Sequence, residues 1–138
     1  NPQSTLTRRL LVRVYLAHGG QALVNEAWDE AVYYLEQGRK LQPDMGEVRS
    51  LLARAYLYRS FHRYHAGDFA GAAEDCRQGI ALNQGIEGFH YILGVVYYQQ
   101  ERWVDAVKEL ETVLQLNPEN QAAQALLEEV KRAGEGGK

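Results

Sequence analysis

Phe89-His90-Tyr91-Ile92-Leu93-Gly94-Val95-Val96-Tyr97, followed by Trp103-Val104-Asp105-Ala106-Val107-Lys108-Glu109-Leu110 and then Asn117-Pro118, is the stretch that decides the fold of this chain. Its apolar residues recur at intervals of three and four. Phe89, Ile92, Leu93 and Val96 do so in the first segment, and Val104, Val107, Leu110, Val113 and Leu114 in the second. That is the spacing of a buried helix face, and the alternation of a strand is absent. Two such helices joined by a few polar residues make a hairpin. The hairpin is written twice more upstream: Leu11-Val12-x2-Tyr15 and Leu52-Ala53-x2-Tyr56 precede Leu93-Gly94-x2-Tyr97 at steps of 41 residues. Each is followed by an aromatic residue, an alanine and a turn: Trp28, Ala31 and Pro43; Phe69, Ala72 and Gln84; Trp103, Ala106 and Pro118. A unit repeated at a period of 20–50 residues cannot bury its apolar face alone and stacks on its neighbours as a solenoid.

Composition fits that reading. Apolar residues make up 46% and charged residues 24%, enough for a core. No apolar run approaches the roughly 20 residues of a membrane span, and no targeting segment is visible, which fits a cytoplasmic protein. The three prolines, Pro2, Pro43 and Pro118, lie between helical patterns, where a missing amide donor does no harm. Asn117 before Pro118, and Asp44 with Glu47, read as helix N-caps. The spacing predicts helices near 5–24, 26–41, 45–66, 68–82, 86–100, 102–116 and 118–133.

With these residues in place, the chain resembles the tetratricopeptide repeat family. Leu93-Gly94-x2-Tyr97, Ala106-x3-Leu110 and Asn117-Pro118 carry the signature in a 34-residue unit, with His90 where the family often has tryptophan. The first two units match less strictly. On the 41-residue step Val12 and Ala53 stand in the glycine slot, and Leu35 and Cys76 in the later aromatic slot. The resemblance implies a right-handed all-α solenoid of antiparallel hairpins. Residues 1–4 would end a preceding repeat, since Asn1-Pro2 repeats the pattern of Asn117-Pro118. Residues 5–44, 45–85 and 86–118 would form three repeats, 119–133 a capping helix and 134–138 a disordered tail.

Length sets the first two units apart. Six residues separate Tyr97 from Trp103, but thirteen separate Tyr15 from Trp28 and Tyr56 from Phe69. Seven extra residues are about two helical turns and return to nearly the same face. They are expected near the end of the first helix of each hairpin, lengthening it without turning its buried stripe. Arg59 to His65 contains no breaker, so that helix should run through His65. Gly19-Gly20 costs ~1 kcal/mol per glycine in a helix and marks a place where the first could kink or break.

Chemistry is sparse. His62 and His65 lie three apart without the further ligands a metal site needs, so none is assigned. Cys76 falls in a packing slot and reads as an inert buried thiol. No phosphate loop, nucleophile elbow or carboxylate pair is present, so neither catalysis nor a cofactor is expected. What remains is a surface. The resemblance implies a concave groove lined by Arg9, Arg13, Leu16, Arg54, Leu57, Tyr58, Tyr91 and Tyr98. Arginine suits bidentate pairing with carboxylates, and tyrosine offers amphipathic contact area. Slots that grip a chaperone's terminal carboxylate in some members hold Arg9, Arg13, Leu51, Gly88 and Ile92; three of the five are apolar or glycine, so that clamp is not present.

The expected role is therefore a non-enzymatic module binding a partner protein or peptide, with acidic segments suited to the arginines. A purely architectural segment of a larger assembly is the alternative. Nucleic acid is the weakest reading. Residues 1–63 hold 9 basic and 6 acidic side chains (+3), but residues 64–138 hold 6 and 12 (−6). Leu6, Leu10 and Val14, at steps of four, would form an exposed stripe available for self-association.

Overall fold

The computed structural model describes residues 4–136. Seven helices form among them, with no strand: α1 (Thr5–Val24), α2 (Trp28–Leu41), α3 (Gly46–His65), α4 (Phe69–Leu82), α5 (Glu87–Gln99), α6 (Trp103–Leu116) and α7 (Gln121–Gly136). The chain divides into two compact units, one ending at Arg59 and the other beginning at Ser60, so α3 contributes to both. The expected opening at Asn1-Pro2 lies outside the described residues.

Local chemistry sets the helix ends. Ser4 accepts from the Thr7 amide at 3.1 Å and starts α1, and Asp68 accepts from the Gly71 amide at 2.9 Å and starts α4. Before α7 the cap is Asn120, whose side-chain oxygen takes the Ala123 amide at 2.9 Å. Asn117 instead ends α6 and accepts from the Glu119 amide at 3.2 Å, which corrects the sequence reading by one turn. Asp44 is likewise not the cap of α3; the Met45 carbonyl accepts that helix's first bond, from Arg49. Within each hairpin the turn passes through one left-handed residue: Glu26 (φ 57°), Gly67 (φ 84°) and Glu101 (φ 59°).

The register of the repeats follows from packing across these turns. A Cβ at Gly19 would sit 2.5 Å from Leu35 Cγ, and one at Gly94 would sit 3.0 Å from Leu110 Cγ. Between them in the chain, the buried Ser60 hydroxyl is hydrogen-bonded to Cys76. In each pair the small residue precedes its partner by sixteen positions. The small slot therefore holds Gly19, Ser60 and Gly94, not Val12 and Ala53. The seven extra residues stand before that slot, in the N-terminal turns of α1 and α3, rather than beside the hairpin turn. A slip of two turns leaves the buried face unchanged, so sequence periodicity could not separate the two registers.

Both lengthened helices are unbroken, at 20 residues each against 13 for α5. Gly19-Gly20 does not interrupt α1 because close approach to Leu35 requires the first glycine. In the first unit α1 packs on α2, and Val12, Ala31, Leu35, Val48, Leu52 and Ala55 are buried. In the second, α4 meets α5, α5 meets α6 and α6 meets α7. Ala106, Leu110 and Val113 of α6 close with Ala123 and Val130 of α7 into one buried cluster. Gly134, Glu135 and Gly136 continue α7, where the sequence suggested a tail; residues 137–138 lie outside the described residues.

Candidate partner-binding surface

Of the eight groove residues implied by the family slots, six belong to the first unit. Arg9, Arg13 and Leu16 share one wall of a recess of about 490 Å³, with Val12 and Ala17 beside them on α1. The opposite wall is Gln42 and Met45 of the α2–α3 connection and Glu47 of the first turn of α3. Arg9 stands in the added N-terminal turns of α1, and Arg13 lies one turn further on. Both arginines are exposed, and no ion pair to either forms among the described residues. Glu47 is the one carboxylate among the lining residues. The arrangement offers two guanidinium groups over a floor of half-buried and buried aliphatic carbon, which is suited to a carboxylate attached to an apolar group.

Arg54 of α3 is exposed but is not part of that lining, Leu57 is half-buried, and the Tyr58 ring lies 5.2 Å from that of Trp28. With the register above, Leu16, Leu57 and Tyr91 occupy one slot, and each is half-buried.

Within the second unit Tyr91 and Tyr98 both pack against the α6–α7 cluster. Tyr98 donates its hydroxyl to Glu129 Oε1 at 2.7 Å, and its ring lies 5.7 Å from Trp103. That hydrogen bond to a carboxylate holds the phenol's pKa above its ordinary value. These two tyrosines help seat α7, a use the repeat pattern does not reveal. In the register set by Gly19, Ser60 and Gly94 the clamp slots of the first two units move seven residues on, to Leu16, Gly20 and Tyr58, beside Gly88 and Ile92, so none of the five holds a basic side chain.

Elsewhere the polar groups are structural. Arg63 donates to the buried Asp75 at 3.0 Å, and Tyr56 donates to Glu36 at 2.7 Å. His90, in the slot where the family often has tryptophan, meets Glu109 at 2.7 Å. His65 is taken up by ring contacts with Phe61 and Tyr64. Among the described residues no three His, Cys, Asp or Glu side chains are grouped to hold a metal, and no helix is long and apolar enough to cross a membrane.

Helical hairpins with a small residue against each partner helix, an alanine after each turn and a terminal capping helix define an α-helical repeat protein. Residues 63–130 match the tetratricopeptide repeat family model. Over 121 residues the chain is 29% identical to tetratricopeptide repeat protein 16 of Macaca fascicularis, and over 114 residues it is 28% identical to sperm-associated antigen 1 of Rattus norvegicus. Each alignment covers 83% of this chain but only 13% and 12% of those proteins, so the chain spans about an eighth of their length. Among solved structures it is similar to the first TPR domain of Spaghetti bound to an HSP90 peptide, with TM-score 0.58 and 24% identity, covering 88% of this chain and 91% of that one. It is also similar to the C-terminal TPR-containing domain of a Plasmodium falciparum protein, with TM-score 0.66 and 12% identity over 94% and 91% of the two chains. The family-model match over residues 63–130, the tetratricopeptide-repeat relatives and the TPR-domain folds together support a tetratricopeptide repeat assignment.

Proposed function

We propose that this chain is a protein-interaction module whose first unit takes an acidic segment of a partner into the recess lined by Arg9, Arg13 and Leu16. One observation carries the reading: two exposed arginines, one turn apart and in no ion pair among the described residues, face a cavity with an aliphatic floor. Bidentate pairing of a guanidinium with a carboxylate fixes orientation as well as charge. Two similar folds with a bound segment fit this chemistry, since the HSP90 peptide SRMEEVD and the HSP70 peptide SGPTIEEVD that they hold are both acidic. The clamp slots hold no basic side chain, and the two arginines stand elsewhere on α1, so the partner would differ from those peptides in how its carboxylates are held.

Selection from a random peptide display library on the immobilised chain tests the proposal. Sequences rich in Asp and Glu should emerge and be lost on the Arg9→Glu plus Arg13→Glu chain, while Arg54→Glu should retain most of them. Recovery of the same sequences by the double variant, or selected sequences without acidic residues, would show that the recess is not the binding site.

A further inference from the structure

The recess of the first unit carries charge of both signs. Arg9 and Arg13 stand on its α1 wall, and Glu47 stands on the opposite wall, in the first turn of α3. All three residues are exposed. Glu47, like the two arginines, is in no ion pair among the described residues, so the opposite charges do not meet across the recess. Two positive groups and one negative leave the lining at +1, which favours an acidic occupant. A wholly acidic segment, however, carries its carboxylates towards Glu47, and like charges at short range repel. A cation placed between them removes that repulsion and pairs Glu47 as well.

The spacing of the arginines sets an order along the segment. Arg9 and Arg13 are four positions apart on one helix, a rise of about 6 Å. In an extended segment, side chains two positions apart point the same way at a separation of about 6.6–6.8 Å, and the residue between them points the other way. Carboxylates at the first and third positions therefore match the arginine wall, and the second side chain faces the wall of Glu47. That wall also contains the half-buried Met45. Its thioether offers apolar surface to the methylene stem of a lysine or arginine whose charged head reaches Glu47.

We infer that the recess selects an extended partner segment of the order acidic–basic–acidic, its outer carboxylates on Arg9 and Arg13 and its central cation on Glu47. The inference rests on the proposed use of the recess and adds which acidic segments it prefers. A first-turn carboxylate also favours a helix through its dipole, and Glu47 serves α3 in that way whether or not the recess is occupied.

Labelled peptides on one serine–alanine frame serve as probes, with Glu-Lys-Glu, Glu-Gln-Glu or Glu-Glu-Lys at the centre, and their fluorescence anisotropy is followed against the full chain. Glu-Lys-Glu should bind about threefold to fivefold more tightly than Glu-Gln-Glu, although its net charge is smaller. It should also exceed Glu-Glu-Lys, which has the same composition in another order. Glu47→Gln should remove the preference without weakening Glu-Gln-Glu. Because Glu47 is exposed, that variant should keep the circular dichroism of the unmutated chain. Equal binding of the peptides by the unmutated chain, a preference that survives Glu47→Gln, or an equal loss of all of them in that variant would overturn the inference. The recess reading would still stand if Arg9→Glu plus Arg13→Glu abolished binding. Binding that survives the double arginine variant, or no binding of any peptide at millimolar concentration, would overturn the recess reading and this inference with it.

Discussion

Ser60 and Cys76 occupy the positions that Gly19 and Leu35 hold in the first hairpin and Gly94 and Leu110 in the third. The serine hydroxyl takes the place of a leucine contact and bonds to the thiol, so the middle hairpin closes around a polar pair instead of a methyl cluster. Burial is the dominant influence on Cys76 and pushes its pKa up to about 12 from the ordinary thiol value of 9.0; the Ser60 bond opposes that shift. Two consequences follow at this residue. The thiol should resist alkylation at pH 8 in the folded chain and react only at the rate of opening; labelling as fast as a free thiol would contradict its burial. The pH dependence has a definite sign. Folding raises the pKa, so the unfolded chain loses its proton first, and the stabilisation is complete below pH 9 and lost progressively between about pH 9 and 12. Over that window unfolding free energy should fall by ~1.4 kcal/mol per pH unit more than in Cys76→Ala, measured by urea titration. Equal slopes in the two chains would remove Cys76 from the account.

Whole helices show why the repeat register was only partly legible. The hairpins, the alanine after each turn and the continuity of α3 could be read from spacing, because each is a property of one face or one interval. The seven-residue displacement could not, since two turns return the same stripe to the core. The contacts of Gly19 with Leu35, Ser60 with Cys76 and Gly94 with Leu110 distinguish the registers. Arg9, Arg13 and Leu16 line one recess, but the family slots that named them belong to the displaced register; Tyr91 and Tyr98 were not readable as supports of α7, because the pattern of one repeat says nothing of the helix packed on it. The adjacent glycines of α1 turn this into a test. Gly19→Ala should destabilise by about 1–3 kcal/mol, as a methyl is forced onto the buried Leu35. Gly20→Ala meets nothing within 4 Å and should stabilise by ~1 kcal/mol through helix propensity alone. Thermal melts of the two variants moving the same way would contradict the register. The turns give a parallel pair. Glu26→Gly and Glu101→Gly relieve a left-handed glutamate and should each stabilise by about 0.5–1 kcal/mol, whereas Gly67→Ala should cost ~1 kcal/mol.

Across the whole molecule, charge decides between the remaining partner classes. The first 63 residues carry +3 and the remainder −6, so a polyanion that follows the chain leaves a weakly favourable field for an unfavourable one. A short acidic segment needs only the arginine-bearing surface of α1. The two cases differ in how salt acts on them. Single-stranded RNA releases counterions for each phosphate neutralised, and its affinity falls with a slope of about −0.7 per contact in a log–log plot. Three arginines on α1 would give a slope near −2, and affinity at physiological salt no better than ordinary non-specific binding, ~10⁻⁴ M or weaker. A peptide whose carboxylates are paired over aliphatic carbon keeps its apolar contribution as salt rises. The chain should therefore wash from a polyuridine resin below about 150 mM salt and stay bound to a selected acidic peptide under the same conditions. Retention on RNA at 150 mM salt that disappears in the Arg9→Glu plus Arg13→Glu chain would reverse this assignment, because the same arginines would then be serving phosphates in preference to carboxylates.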